Sequence, residues 1–209
     1  MLNVCRFGGL PFDESVTEAG MRRLIVWNLV TLDGHFEGRN PWEIDWHEYA
    51  WGDELKQFSI EQSREIGTLL FGRATYQGMA AHWPSAEGEV AAFMNAVPKV
   101  VFSNTLEGAD WNNTRLVRGS AEDEVAKLKR QEGKDLFIFG SAKLCSTLLA
   151  AGLIDEVRLG LTPVVLGGGT PLFKPQPKRL RMQLLEAKIL ESGCVILCYA
   201  PDFTPAPRP

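Results

Sequence analysis

Hydrophobic positions along the chain fall into short blocks that alternate between two periods. Leu24-Ile25-Val26-Trp27-Asn28-Leu29-Val30 is an almost unbroken apolar run closed by Asp33-Gly34, the pattern of a strand buried on both faces and ending in a turn. Runs of the same kind recur at 68–71, 99–102 and 135–139, with a brief one at 115–117. Between them the spacing becomes helical. Leu55, Phe58, Gln62 and Ile66 fall on one face of a predicted helix over 53–66 with Asp53 as N-cap, and a second helix starts at Gly72 and ends before Pro84. Residues 89–97 form a short helix broken by Pro98, Ser120 caps a charged helix through Arg130, and Leu144, Leu148 and Ala151 share a face of a helix that stops at Gly152.

Two stretches break this alternation. Residues 35–51 are rich in Trp, Gly, Asn and Pro without any period, so they are expected to be a loop whose Trp42, Trp46 and Trp51 line a pocket. After Gly152 the apolar runs at 154–161, 163–166, 180–190 and 194–199 have no helix between them and predict antiparallel strands. The fold class expected is α/β: three layers, a mostly parallel mixed sheet flanked by helices, with an antiparallel C-terminal edge. Residues 1–21 read as an N-terminal extension, 22–200 as the domain and 201–209 as a Pro-rich tail.

Composition narrows the function classes. A chain of 209 residues, 45% hydrophobic and 23% charged, is the size and balance of one globular domain. Its formal charge of −4 supplies no basic field for a polynucleotide, and no apolar run approaches the ~20 residues of a membrane-spanning helix. The expected setting is cytoplasmic, with a small-molecule substrate and neither nucleic acid nor membrane as partner. Cys5, Cys145, Cys194 and Cys198 are too scattered for a disulfide framework. In a strand, Cys194 and Cys198 stand roughly 13 Å apart, too far to share one zinc, so no metal is expected.

Two segments share one physical device. At Phe71-Gly72-Arg73-Ala74-Thr75 and at Phe139-Gly140-Ser141-Ala142-Lys143 a buried strand ends, a glycine turns the backbone and a helix begins. Helix N-termini carry unsatisfied N–H groups and partial positive charge, so each is a candidate phosphate seat, and two together suit a diphosphate. Arg73 adds a charged donor and Thr75 a hydroxyl. A third strand end, Ser103-Asn104-Thr105, offers polar groups on the same rim of a parallel sheet. Gly167-Gly168-Gly169 lacks the spacing of a dinucleotide fingerprint and reads as a sharp bend or a close backbone approach.

Taken in order, Thr31-Leu32-Asp33-Gly34, Leu70 to Tyr76, Val101 to Leu106 and Ile138 to Leu144 resemble the dihydrofolate reductase-like superfamily. Leu148 to Val157 followed by Pro163 to Gly169 resembles most the reductase (C-terminal) domain of the bifunctional riboflavin-biosynthesis deaminase/reductase and its stand-alone bacterial relatives. The resemblance implies NADPH held by Gly72, Arg73, Ala74 and Thr75, by Ser103 and Asn104, and by Gly140, Ser141, Ala142, Lys143 and Leu144. It implies a loop after Asp33 closing over the nicotinamide, Asp33 or Glu54 as a catalytic proton source beside water, and Thr31, Trp46 and Phe58 in the substrate pocket. Asn104 stands where folate reductases usually carry Arg, which leaves NADPH against NADH open. Three functions follow: hydride transfer to a pterin- or pyrimidine-like C=N bond, reduction of 5-amino-6-(5-phosphoribosylamino)uracil, or a non-catalytic dinucleotide-binding dimer. The second requires a basic seat for a phosphate, with Lys99, Lys143 and Arg158 as candidates. A homodimer through the C-terminal strands suits all three.

Overall fold

The computed structural model describes residues 21–175 and 179–204. Its strands are β1 (Leu24–Thr31), β2 (His35–Glu37), β3 (Ile66–Gly72), β4 (Lys99–Phe102), β5 (Thr114–Val117), β6 (Asp135–Phe139), β7 (Glu156–Thr162), β8 (Thr170–Pro171), β9 (Arg181–Ile189) and β10 (Val195–Asp202). The helices are α1 (Asp53–Ser63), α2 (Arg73–His82), α3 (Glu89–Ala96), α4 (Ala121–Lys129) and α5 (Ala142–Ala150). Eight strands form one sheet in the order β5-β4-β3-β6-β1-β7-β10-β9, and β2 pairs with β8 apart from it. From β5 to β7 every pairing is parallel, whereas β10 runs antiparallel to both β7 and β9. This is the mostly parallel sheet with an antiparallel edge that the hydrophobic blocks predict.

Alternation along the central strands divides the core into two layers. Ile25, Trp27, Leu69, Phe71, Val101 and Phe137 pack on one face with Leu55 of α1, Tyr76 of α2 and Met94 of α3. Leu24, Val26, Leu70, Val100, Leu136 and Ile138 pack on the other with Val125 and Leu128 of α4 and Leu144 and Leu148 of α5. Each such side chain, taken wholly out of water, contributes about 1.5–3 kcal/mol, which is why the strands read as continuous apolar runs. Helix ends follow local chemistry. Ser120 Oγ accepts from Asp123 N at 3.0 Å at the start of α4, and Gly152 takes φ +68° just past α5.

Three expectations are corrected. The 35–51 segment is not wholly a loop: it contains β2 and a 3-10 turn at Asp45–Tyr49. Residues 163–166 form no strand; β8 lies further on, and Val165 is exposed. The chain there is diverted by Gly167, Gly168 and Gly169, all at positive φ, and a side chain on Gly169 would sit on the Glu37 carbonyl oxygen. The glycines therefore serve a bend that lets β8 pack against β2. Finally, β10 runs through Pro201 and Asp202, so the expected tail begins inside a strand. Residues 1–20 and 205–209, which hold most of the expected extension and tail, lie outside the described residues. No helix among those described is long and apolar enough to cross a membrane.

Candidate functional site

Because β3 and β6 are parallel neighbours, the turns that leave them emerge side by side on one rim. They are bonded to each other. Gly72 N donates to Ser141 Oγ at 2.9 Å, and Ser141 N donates back to Thr75 Oγ1 at 3.0 Å. Gly140 N donates to Asn28 Oδ1 of β1 at 2.8 Å, which ties the pair to the central strand. Glycine is required at 140: φ is +66°, and a Cβ there would lie 2.8 Å from Thr75 Cγ2. With both turns locked, the first-turn N–H groups of α2 and α5, which have no intrahelical acceptor, are presented to shared space.

That space is a cavity of about 1040 Å³. All eleven residues expected to hold a dinucleotide line it: Gly72 to Thr75, Ser103 and Asn104, and Gly140 to Leu144. Arg73 is exposed on its wall. At the β4 end Ser103 Oγ accepts from the N–H groups of Thr105 and Leu106 at 3.1 and 3.0 Å, and Asn104 Oδ1 accepts from Gly119 N at 3.0 Å. These bonds shape the turn and leave the Asn104 NH2 as a donor, while the Ser103 and Thr105 hydroxyls stand 3.4 Å apart. Gly119 and Ala121, at the approach to α4, also line the cavity, and nothing in their local sequence marks them.

Away from these turns the wall is apolar and aromatic. Trp27 and Leu29 of β1, Leu55 of α1, Met79 of α2, Trp83 and Phe93 line it, with Trp42 and Trp51 from the 38–52 segment. Trp42 is seated against α2, where Gly78 leaves room for its ring; a Cβ at 78 would lie 2.5 Å from ring atom Cδ2. His47 also faces the cavity, edge-on to Trp46 at 4.5 Å between centroids. Burial pushes the His47 imidazole down to about 4 against the opposing pull of Asp45, so it is neutral at pH 7.

The expected substrate-pocket residues stand one step back. Trp46 is only 2% exposed and belongs to the core behind His47. Phe58 packs against Trp27 at 5.0 Å and supports the wall rather than forming it. Thr31 is fully buried, donating to Asp33 Oδ1 at 2.6 Å and accepting from His35 N at 3.0 Å. Trp27, Trp83 and Gln62, none of them an expected pocket residue, line the cavity instead. Their signals were present: Trp27 shares its strand face with Leu29, and Gln62 is a polar residue on the apolar face of α1.

Both expected proton sources are corrected as well. Asp33 does not line the cavity. Its carboxylate accepts from Gly167 N at 2.8 Å and Leu166 N at 3.3 Å, so it latches the β1–β2 turn to the glycine bend. The Thr31 hydroxyl, then these two amides, with His35 near by, hold it well below the usual carboxylate range; an ionised group in that state has no proton to give. Glu54 is likewise absent from the wall, because its carboxylate accepts from Glu191 N in the β9–β10 turn. Of the basic candidates, Lys99 donates to the carbonyls of Asn95, Val97 and Asn112 with its ammonium over the Trp111 ring. Arg158 is buried in an ion pair with Glu156 and Glu65. Lys143 lines the cavity, together with Lys174, which was not among the expected seats.

Comparison with known proteins bears on the family and the fold. The family model described as the RibD C-terminal domain matches residues 22–196. The chain belongs to the RibD C-terminal domain family. Among relatives of the RibD C-terminal domain chain, the Bacillus subtilis (strain 168) protein YyaP is 34% identical over 187 residues, covering 85% of this chain and 94% of YyaP. A putative riboflavin biosynthesis protein from Shewanella sp. PV-4 superposes with a TM-score of 0.71 at 22% identity, over 86% of this chain and 99% of that one. The fold is shared too with a dihydrofolate reductase from Enterococcus faecalis, at a TM-score of 0.57 and 16% identity over 86% and 96% of the two chains.

Proposed function

We propose that the protein is an NADPH-dependent reductase that delivers a hydride to a C=N bond of a small pterin- or pyrimidine-like heterocycle. The observation that carries the reading is the pair of mutually bonded turns at Gly72 and Gly140, whose helix N-termini face one cavity. Amides at the starts of α2 and α5 hold the diphosphate, Arg73 adds a charge-assisted bond, and Ser103 and Asn104 meet the adenosine end. Bound there, the dihydronicotinamide supplies the hydride. Trp27, Leu29 and Phe93 orient the acceptor ring and exclude water, so that rate comes chiefly from alignment of donor and acceptor in a dry pocket. With Asp33 and Glu54 turned away, water remains as the proton source.

A second reading, reduction of 5-amino-6-(5-phosphoribosylamino)uracil, is favoured by family membership and by Lys143 and Lys174, which line the cavity as candidate seats for the ribose phosphate. A homodimer is part of the proposal. It is supported by β9, an edge strand whose Leu184, Leu185 and Ile189 are exposed. Cytoplasmic residence is supported by three unpaired buried thiols, Cys145, Cys194 and Cys198.

The test is energy transfer from the cavity tryptophans to nicotinamide during titration with NADPH and NADH. Binding of either supports the reading; no transfer at millimolar concentration removes it. Exposed Arg73 allows a clean variant: Arg73→Ala is expected to weaken NADPH by roughly 1.5–3 kcal/mol with the melting temperature unchanged. Equal affinity would show that Arg73 touches no phosphate.

A further inference from the structure

At the floor of the aromatic end the cavity meets α1, which lays Leu55, Ser59 and Gln62 along it. Gln62 is 2% exposed, yet its amide is only half satisfied. Its Oε1 accepts from Arg158 Nη1 at 3.3 Å, and its NH2 has no partner among the described residues. The orientation is forced. Arg158 offers donors alone, so a reversed amide would set N–H against N–H.

The guanidinium itself cannot turn. Its Nε donates to Glu156 Oε1 at 2.6 Å and its Nη2 to Glu65 Oε2 at 2.9 Å, and its carbon lies 5.4 Å from the centroid of the Phe137 ring. Burial works against the charge, but the two carboxylates more than offset it and hold the group protonated. A rigid, permanently charged side chain thus fixes which end of Gln62 is left over. Ser59, one turn earlier, donates its hydroxyl hydrogen to Leu55 O at 2.8 Å. Its remaining capacity is as an acceptor.

We infer that Gln62 binds the substrate, its NH2 donating to a ring carbonyl oxygen while Ser59 Oγ accepts from the adjacent ring N–H, with Arg158 as the positioning residue behind it. The inference rests on the reductase reading and gives that reading a substrate class: a planar heterocycle carrying an –NH–C(=O)– edge. Trp27 and Phe93 supply the apolar surfaces for its faces. A donor at the cavity floor with no protein partner favours ligands that offer an acceptor over ligands that do not.

Pteridine-2,4-dione and its 1,3-dimethyl derivative serve as probes, titrated into the NADP+-saturated protein and followed by tryptophan quenching. Gln62→Leu deletes the donor; Gln62→Glu keeps the acceptor that Arg158 needs and replaces the donor with a second acceptor, so it preserves the fold. The expected result is at least tenfold weaker binding of the dione in both variants, with NADPH affinity unchanged within twofold. The 1,3-dimethyl probe, with no ring N–H to offer, binds wild type weakly and is affected less than threefold by either substitution. A purely structural Gln62 would not separate the two probes. Equal dione affinity in wild type and variants, with NADPH still bound, overturns the assignment and leaves the reductase reading intact; so does a dione that fails to bind the NADP+-loaded wild type. Failure of wild type to bind NADPH removes the reductase reading, and this inference with it.

Discussion

Replacing Gly140 by Ala probes the contact on which the proposed cofactor seat depends. Two costs are readable from the structure. The residue sits at φ +66°, where a side chain costs about 1–2 kcal/mol. Its new Cβ would also meet Thr75 Cγ2 at 2.8 Å and Thr75 Oγ1 at 3.3 Å. Thr75 is β-branched, so it cannot swing the methyl aside without carrying Oγ1 off Ser141 N, a bond of 3.0 Å worth about 1 kcal/mol. Together these predict a loss of about 3 kcal/mol, within what a domain of this size tolerates. Thr75→Ser in the same chain removes the methyl and keeps the hydroxyl, so the double variant is expected to recover at least about 1 kcal/mol of the loss. Urea unfolding of wild type, both single variants and the double variant gives the cycle, and NADPH titration of the folded Gly140→Ala protein is expected to show at least tenfold weaker binding. Strict additivity within about 0.5 kcal/mol would refute the steric account. Unaltered NADPH affinity in the destabilised protein would refute the claim that these turns seat the dinucleotide.

Acidification and a helix substitution test the aromatic end. His47, held at about 4 by burial, is neutral in both folded and unfolded chains above its free value of about 6.5. As the pH falls from there the unfolded chain takes the proton first, so stability declines, by about 2–3 kcal/mol at pH 4.5. His47→Asn is expected to flatten the pH profile of unfolding free energy by that amount, and an unchanged slope would show that the imidazole is hydrated. Gly78→Ala brings a Cβ to within 2.5 Å of Trp42 ring atom Cδ2. The ring is expected to leave α2 with a red shift of tryptophan emission that vanishes in a Trp42→Phe background; identical spectra would place Trp42 elsewhere.

Local order carried much of the legible information. The central strands were readable because a strand buried on both faces is a contiguous apolar run, and the segments at Gly72 and Gly140 are each a contiguous strand end, turn and helix start; β7, expected among the antiparallel strands, instead pairs parallel with β1. The C-terminal third was harder. Val164 and Val165 look like strand residues, but three glycines at positive φ redirect the chain before a ladder forms.

By itself, the sequence determined the α/β class and the two glycine turns with the nine residues at 72–75 and 140–144, since each is decided by neighbours a few positions away. Tertiary structure alone decided which polar groups meet. Gly72 and Ser141 are bonded across 69 positions, Gln62 and Arg158 across 96, and Glu54 reaches Glu191 across 137. Hydrophobic periodicity encodes the face a residue occupies, but not the partner that a distant strand or turn brings to it. That is why Asp33 and Glu54 were captured by backbone amides of later loops, while a glutamine on an apolar helix face became the polar floor of the cavity.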